Sequence, residues 1–334
     1  MGAVVSTAIK ADPAKPAGSA NSLSRRRPLG DRGLQLLALC AGLLVLAILI
    51  GIAVSTAQQG SLWFSTAGFK GIFSTVWDVG NNQFGAMAFV YGTVLTSVIA
   101  IIIGVPVSLS VALLLTEVVP HRWAAPIITI IDLLAVVPSV VWGLWGILVL
   151  EPWIQPIYGS IASGVNGIPV LDNLFGESNG GVSGASFFTC GLILAIMITP
   201  IITSLSREVI ATVPAIDKEG AYALGATRWE MIRGAVWPHS QAGIVSAIRV
   251  GLGRAMGETI AAALVIGSSV QVTSHLFVPG YSIPAVIANQ FGESSGEFRS
   301  ALIGLGLILF VITIIVNLIA RWVVARSTQR QRGA

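Results

Sequence analysis

The sequence predicts an all-α membrane protein with six transmembrane helices and both termini in the cytoplasm. Three observations predict it. Hydrophobic residues make up 54% of the chain and charged residues 10%, against about 25% charge in soluble domains. Mean hydropathy is +0.84, so lipid must solvate much of the surface. The apolar runs are long and continuous rather than alternating with period two, which excludes a membrane β-barrel. Finally, Lys and Arg are concentrated in alternate inter-span segments, as the positive-inside rule requires.

Residues 1–33 are polar and contain Pro13, Pro16, Pro28 and the run Arg25-Arg26-Arg27. Nothing there can bury a core, so a disordered basic cytoplasmic tail is expected. The apolar run 34–55 exceeds the h-region of a signal peptide and reads as a retained first span. Five further runs follow, at 88–116, 124–150, 185–206, 243–269 and 298–322. Each is long enough to cross about 30 Å of hydrocarbon as a helix. The expected organisation is a six-helix transmembrane domain over 34–325, with a long basic loop at 207–240 between the fourth and fifth spans, and a cytoplasmic tail at 326–334.

Orientation follows from the basic residues. Segment 56–87 holds only Lys70, and segments 151–184 and 270–297 hold none. The turn after the second span carries Arg122. Segment 207–240 carries Arg207, Lys218, Arg228 and Arg233, and the C-terminus carries Arg321, Arg326, Arg330 and Arg332. The net charge of +4 therefore reflects membrane topology. It forms no mixed basic and aromatic face, so no nucleic-acid partner is expected. Cys40 and Cys190 lie in apolar runs and read as packing residues. His121, His239 and His275 lack metal-ligand or catalytic spacing, and no metal site is expected. Trp63, Phe64, Phe69, Phe73 and Trp77 read as an interfacial aromatic belt. A surface helix that docks an external partner is the other reading.

The fourth loop is the most informative segment. Helix-forming residues follow Pro214, Gly225 is a stop signal, and a second short helix can begin near Thr227. A helix–Gly–helix unit of this kind is a rigid lever. Glu219-Gly220-Ala221, then Gly225, then Pro238 resemble the Glu-Ala-Ala loop of type I ATP-binding-cassette importer permeases. Gly220, Ala235 and Trp237 depart from that pattern. The resemblance implies a MetI-like fold in which Glu219, Ala221, Gly225, Ala226, Trp229 and Pro238 couple the chain to a separate ATPase. The chain has no Gly-rich loop ending in Gly-Lys-Ser/Thr. ATP and Mg would thus be used by the partner, and the chain itself is expected to bind no cofactor and to be no enzyme.

Run 243–269 contains three ionisable residues, Arg249, Arg254 and Glu258. Such groups are costly in hydrocarbon and mark partners or pathways. Arg249 lies near the cytoplasmic end, where it can also snorkel. Arg254 and Glu258 are four apart, which places them on one face of a continuous helix. A guanidinium fork suits an oxyanion. A pair that only locks helix packing is the alternative. Gly253-Arg254-Ala255-Met256-Gly257-Glu258-Thr259 is similar to the signature of phosphate-importer permeases. The continuation Thr259-Ile260-Ala261 looks more like the PstC-type branch than its PstA-type partner. That resemblance implies a substrate pathway with Arg249, Arg254, Glu258 and Thr259. It also implies a bacterial plasma-membrane complex with a PstA-like permease, two ATPase copies and an external phosphate-binding protein. Its substrate would be phosphate. Sulfate or molybdate would suit the same fork. An ion-driven secondary transporter would need internal repeats, and none is evident. Asp132, in the third run, reads as structural, near Pro138 and Ser139.

Overall fold

The computed structural model describes residues 29–178 and 181–332. Among the described residues its regular structure is helical apart from a two-stranded antiparallel ribbon, β1 (Trp77–Asp78) with β2 (Gln83–Phe84). The chain divides into two compact units, residues 1–52 and 53–334. The described residues of the first, 29–52, are helical throughout. Most of the expected N-terminal tail, residues 1–28, lies outside the described residues.

Helix α1 runs Leu29–Phe73 with a kink at Gly68 (φ +58°). Half of segment 56–87, expected as a loop, is therefore helix. The reason is tertiary packing. Trp63 is buried against Gly304, and its indole N–H donates to the Phe84 carbonyl at 2.9 Å. The Ser300 hydroxyl donates to the Gln59 carbonyl at 2.8 Å and accepts from the Trp63 N–H at 3.1 Å. Trp77 packs edge-on against Phe84 and Phe89. Trp63 belongs to the protein interior and Trp77 is half-buried against the core, which corrects both the belt and the docking-helix readings for Trp63. Phe64 is half-buried and Phe73 exposed; the Phe69 side chain lies outside the described residues.

Helix α2 (Met87–Leu113) continues into a π-helical turn, Leu114–Val118. Next come α3 (His121–Val136), α4 (Ser139–Trp145), a second π turn (Gly146–Leu150), α5 (Glu151–Val165) and α6 (Pro169–Phe175). The expected span 124–150 is thus not one helix. Proline disfavours helical geometry in the residue before it and cannot donate a backbone bond. Val137, before Pro138, accordingly leaves the helical region at ψ 126°. The helix long and apolar enough to cross a bilayer here is Ser139–Val165.

Helix α7 (Phe187–Ala211) forms the middle of the bundle, packed between α2 and α10 (Trp237–Gly257). Gly191 permits close approach to α2: a Cβ there would collide with Ile99. Helix α10 stops before Glu258, whose backbone is extended (ψ 125°). The short α11 (Ile260–Val265) follows, so the expected span 243–269 is also broken. Among the described residues, the helices long and apolar enough to cross are Gly33–Gly68, Met87–Val118, Ser139–Val165, Phe187–Ala211 and Gly296–Trp322, and this segment is not one of them. The segment 266–282 is a packed non-helical loop. The Ile283 N–H donates to Thr93 Oγ1 at 2.9 Å, and the Tyr91 hydroxyl donates to the Thr273 carbonyl at 2.5 Å. Helices α12 (Ile283–Gln290) and α13 (Gly296–Arg332) complete the chain. The α13 backbone carries on through most of the expected tail, 326–334.

Replacing Trp63 by Ala should remove the link between α1, β2 and α13. Loss of a buried aromatic costs about 3–5 kcal/mol. The thermal unfolding midpoint in detergent should fall clearly; an unchanged midpoint would show that this contact holds nothing.

Candidate functional site

The fourth loop folds as a helix–turn–helix. Helix α8 spans Ala215–Ala223, and Pro214 precedes its first residue, with ψ 136°. Its end is a Schellman turn. The Ala226 N–H donates to the Ala221 carbonyl at 3.1 Å, and the Gly225 N–H to the Tyr222 carbonyl at 2.9 Å. Gly225 has φ +82°, a conformation that costs other residues about 1–2 kcal/mol. Thr227 then opens α9 (Arg228–Met231) with a capping box. The Thr227 N–H and hydroxyl both donate to Glu230 Oε2 at 2.8 Å, and the Glu230 N–H donates back to Thr227 Oγ1 at 3.4 Å. The two bonds from Thr227, the backbone one first, hold the Glu230 carboxyl below its ordinary range. A third π turn, Ile232–Val236, leads into α10.

One face of this unit is packed and the other is open. Ala221 packs on a small cluster of Ala112, Ile210, Val213, Met231, Ile232, Val236 and Ile244. That cluster joins the ends of α2 and α7 to the start of α10. Glu219 and Trp229 are exposed, Ala226 is half-buried, and Pro238 lines an open groove with Ile216, Asp217, Gly220 and His239. Ile216 is 75% exposed and Leu224 91%. Sequence reasoning did not single out these two, nor Tyr222. Apolar residues on a charged loop helix were the available signal.

The second set of residues surrounds the α10–α11 break. Arg254 lies in the last turn of α10 and is exposed. Side chains added at Gly253 and Gly257 would meet open space, whereas one at Gly251 would strike Ile202. The glycine-flanked guanidinium therefore occupies the free side of α10. Glu258 does not share a helical face with Arg254, because the helix has ended. Its Oε1, two residues ahead of α11, accepts the Ala261 N–H in the first turn of that helix at 3.4 Å. Among the described residues no ion pair joins the two. A carboxylate that accepts from the first turn of a helix is favoured there by the exposed N–H groups. Thr259 is half-buried, and its hydroxyl donates to the Gly257 carbonyl at 3.2 Å. Arg249 donates from Nη2 to Asn317 Oδ1 on α13 at 3.2 Å, and its buried Nε has no partner among the described residues. The structure groups Arg254, Glu258 and Thr259 at the break and ties Arg249 to another helix. Asp132, exposed on α3, accepts the Ser204 hydroxyl on α7 at 2.9 Å.

Residues 104–331 match the family of binding-protein-dependent transport system inner membrane components. A phosphate transport system permease protein PstC from Mesorhizobium japonicum is 41% identical over 314 residues, covering 93% of this chain and 95% of the relative. This chain belongs to the PstC family of permeases. The Haemophilus influenzae PstC is 41% identical, covering 88% of this chain and 91% of the relative. PstC 2 of Mycobacterium tuberculosis is 38% identical, with 87% and 91% covered. As a member of this family the chain is a multi-pass inner-membrane permease, not an ATPase. The fold is shared with more distant importers. A bacterial ABC transporter that imports alginate matches with TM-score 0.57 at 18% identity, covering 88% of this chain and 96% of the other. A MetNI methionine transporter chain matches with TM-score 0.50 at 14% identity, covering 72% and 94%.

The lowered Glu230 carboxyl fixes the sign of a pH effect in this PstC-family chain. A depressed folded-state value means its stabilisation is full above the unfolded carboxylate range and lost as pH falls through the folded value. Amide exchange protection of α9 should decline on acidification. In Glu230→Gln that decline should vanish; an equal decline in both proteins would assign it elsewhere.

Proposed function

We infer that this chain is the membrane permease subunit of a phosphate ABC transport system. The observation that carries the inference is the PstC likeness along nearly the whole chain, together with the exposed α8–Gly225–α9 lever. A lever of this form has use only if a partner pushes on it. The partner is a separate ATPase seated on Ile216, Glu219, Leu224 and Trp229. ATP and Mg belong to that partner. The remaining components are a PstA-like companion permease, a second ATPase copy and an external phosphate-binding protein.

The chain crosses the bilayer six times, with both termini cytoplasmic. Five crossings are the long apolar helices, the third being extended by α3 across the Pro138 break. Helix α10 supplies the remaining one. Its 21 residues span about 31 Å at 1.5 Å per residue. It can be less apolar because it faces α7 and, on its free side, a companion permease rather than lipid.

In this reading the free side of α10 lines the pathway. The Arg254 guanidinium attracts phosphate by charge and by its planar donor fork. Glu258 holds the α10–α11 break in shape, and Thr259 offers a hydroxyl beside it. Arg249 contributes positive charge towards the cytoplasmic end. Transport then follows the alternating exposure of this pathway as the ATPases move the levers.

Reconstituting the chain with the companion permease, ATPase and binding protein tests the assignment. Phosphate-loaded binding protein should stimulate ATP hydrolysis, and sulfate should not. Stimulation by sulfate instead would discard the substrate. Arg254→Gln should abolish phosphate uptake with the complex still assembled; normal uptake would remove Arg254 from the pathway. Gly225→Val meets no steric obstacle at Cβ, since nothing lies within 4 Å, so its effect is conformational. It should distort the lever and lower ATPase retention on copurification. Full retention with normal transport would sink the coupling role.

A further inference from the structure

We propose that Glu117 and Lys218 form a charged strut that makes the coupling helix move as one body with the second span. The proposal rests on the reading of α8 as the ATPase-coupling helix. Lys218 Nζ lies 2.5 Å from Glu117 Oε1, and it is the ion pair formed among the described residues. The side chains are 21% and 6% exposed. Most surface ion pairs contribute little because water and salt screen them. This pair is largely withdrawn from both, and removing one partner would strand a nearly buried charge.

Its position gives it mechanical meaning. Lys218 sits near the start of α8, on the helix that carries Glu219 and the exposed Ile216. Glu117 sits in the π turn that ends α2, just before the chain turns extended at Val119. The two lie 101 residues apart in the chain. On α8 the other anchor is Ala221, half-buried against the apolar cluster. Apolar contacts of that kind are non-directional, so α8 could slide or roll upon them. A short charge-assisted bond is directional and fixes distance. With both anchors present, α8 is held to the π turn ending α2 at one point and to α9 and the third π turn at another. A push on α8 is then carried into α2, which packs along α7. π turns recur at functional sites and allow local adjustment, and Glu117 occupies one.

The test uses the complete reconstituted complex in phospholipid vesicles. The variants are Lys218→Met, Glu117→Gln, and the reversed pair Lys218→Glu with Glu117→Lys. The readout is phosphate imported per ATP hydrolysed, at equal amounts of assembled complex. Each single variant should hydrolyse ATP yet import about two- to thirtyfold less phosphate per ATP, the range over which severed coupling contacts act. The reversed pair should restore the ratio. A merely structural pair would change assembly or thermal stability and leave the ratio alone. Assembled single variants with the unmodified ratio would overturn the strut. So would a reversed pair that assembles without recovering, or loss of assembly in all three variants. Absence of phosphate-stimulated hydrolysis in the unmodified complex would instead sink the permease assignment itself, which keeps the two failures distinct.

Discussion

A backbone that crosses hydrocarbon must satisfy its own hydrogen bonds, and the rest of this structure depends on that constraint. It forces helix over almost the whole chain and makes each interruption costly. The interruptions are therefore few and supported. At Pro138 a backbone donor is already missing, so breaking there loses less than at another residue. At Glu258 the carboxylate takes up an N–H of the next helix. The non-helical segment 266–282 is stitched to α2 by Tyr91 at Thr273, and the Ile283 N–H that follows it by Thr93. Irregular backbone survives in this protein where side chains accept or donate what the helix gives up.

The same constraint explains how the two proposed functional regions differ. The α10–α11 break sits on a bundle packed by glycine and branched aliphatic contacts, and its glycine-lined side is left open beside a charged residue. The α8–α9 unit lies at the end of the bundle where α2 and α7 finish. There, polar residues can be exposed, and local bonds do the shaping. A Schellman turn at Gly225 and a capping box at Thr227 leave little freedom between the two short helices. Short helices are unstable alone. These gain their order from the small apolar cluster and from the ion pair to α2.

Much of this was legible in the sequence. The expected spans 34–55, 88–116 and 298–322 lie within long apolar helices, and 185–206 does so apart from its first two residues, because an uninterrupted apolar run has one solution in lipid. The helix stop at Gly225 and the start near Thr227 were legible from residue type alone. Three features were not. Run 124–150 reads as continuous by hydropathy, yet Pro138 divides it; Pro106 and Pro200 lie inside α2 and α7 without breaking them. Proline identity thus does not decide between a break and continuation. The Arg254–Glu258 spacing suggested one helical face, which holds only while the helix lasts. Trp63 and Trp77 had a composition suited to an interface, but Gly304 and the Phe84 carbonyl give Trp63 a seat inside.

The sequence by itself determined the membrane class, the family and the helix–turn–helix of the fourth loop, since hydropathy, charge placement and local turn chemistry are properties of neighbouring residues. Only the tertiary structure decided which charges meet. Glu117 and Lys218 stand far apart in the chain, and no periodicity links them. Arg254 and Glu258 stand close, and a broken helix separates their roles. Side-chain pairing is fixed by how helices pack and where they end, and those are set by contacts between distant segments.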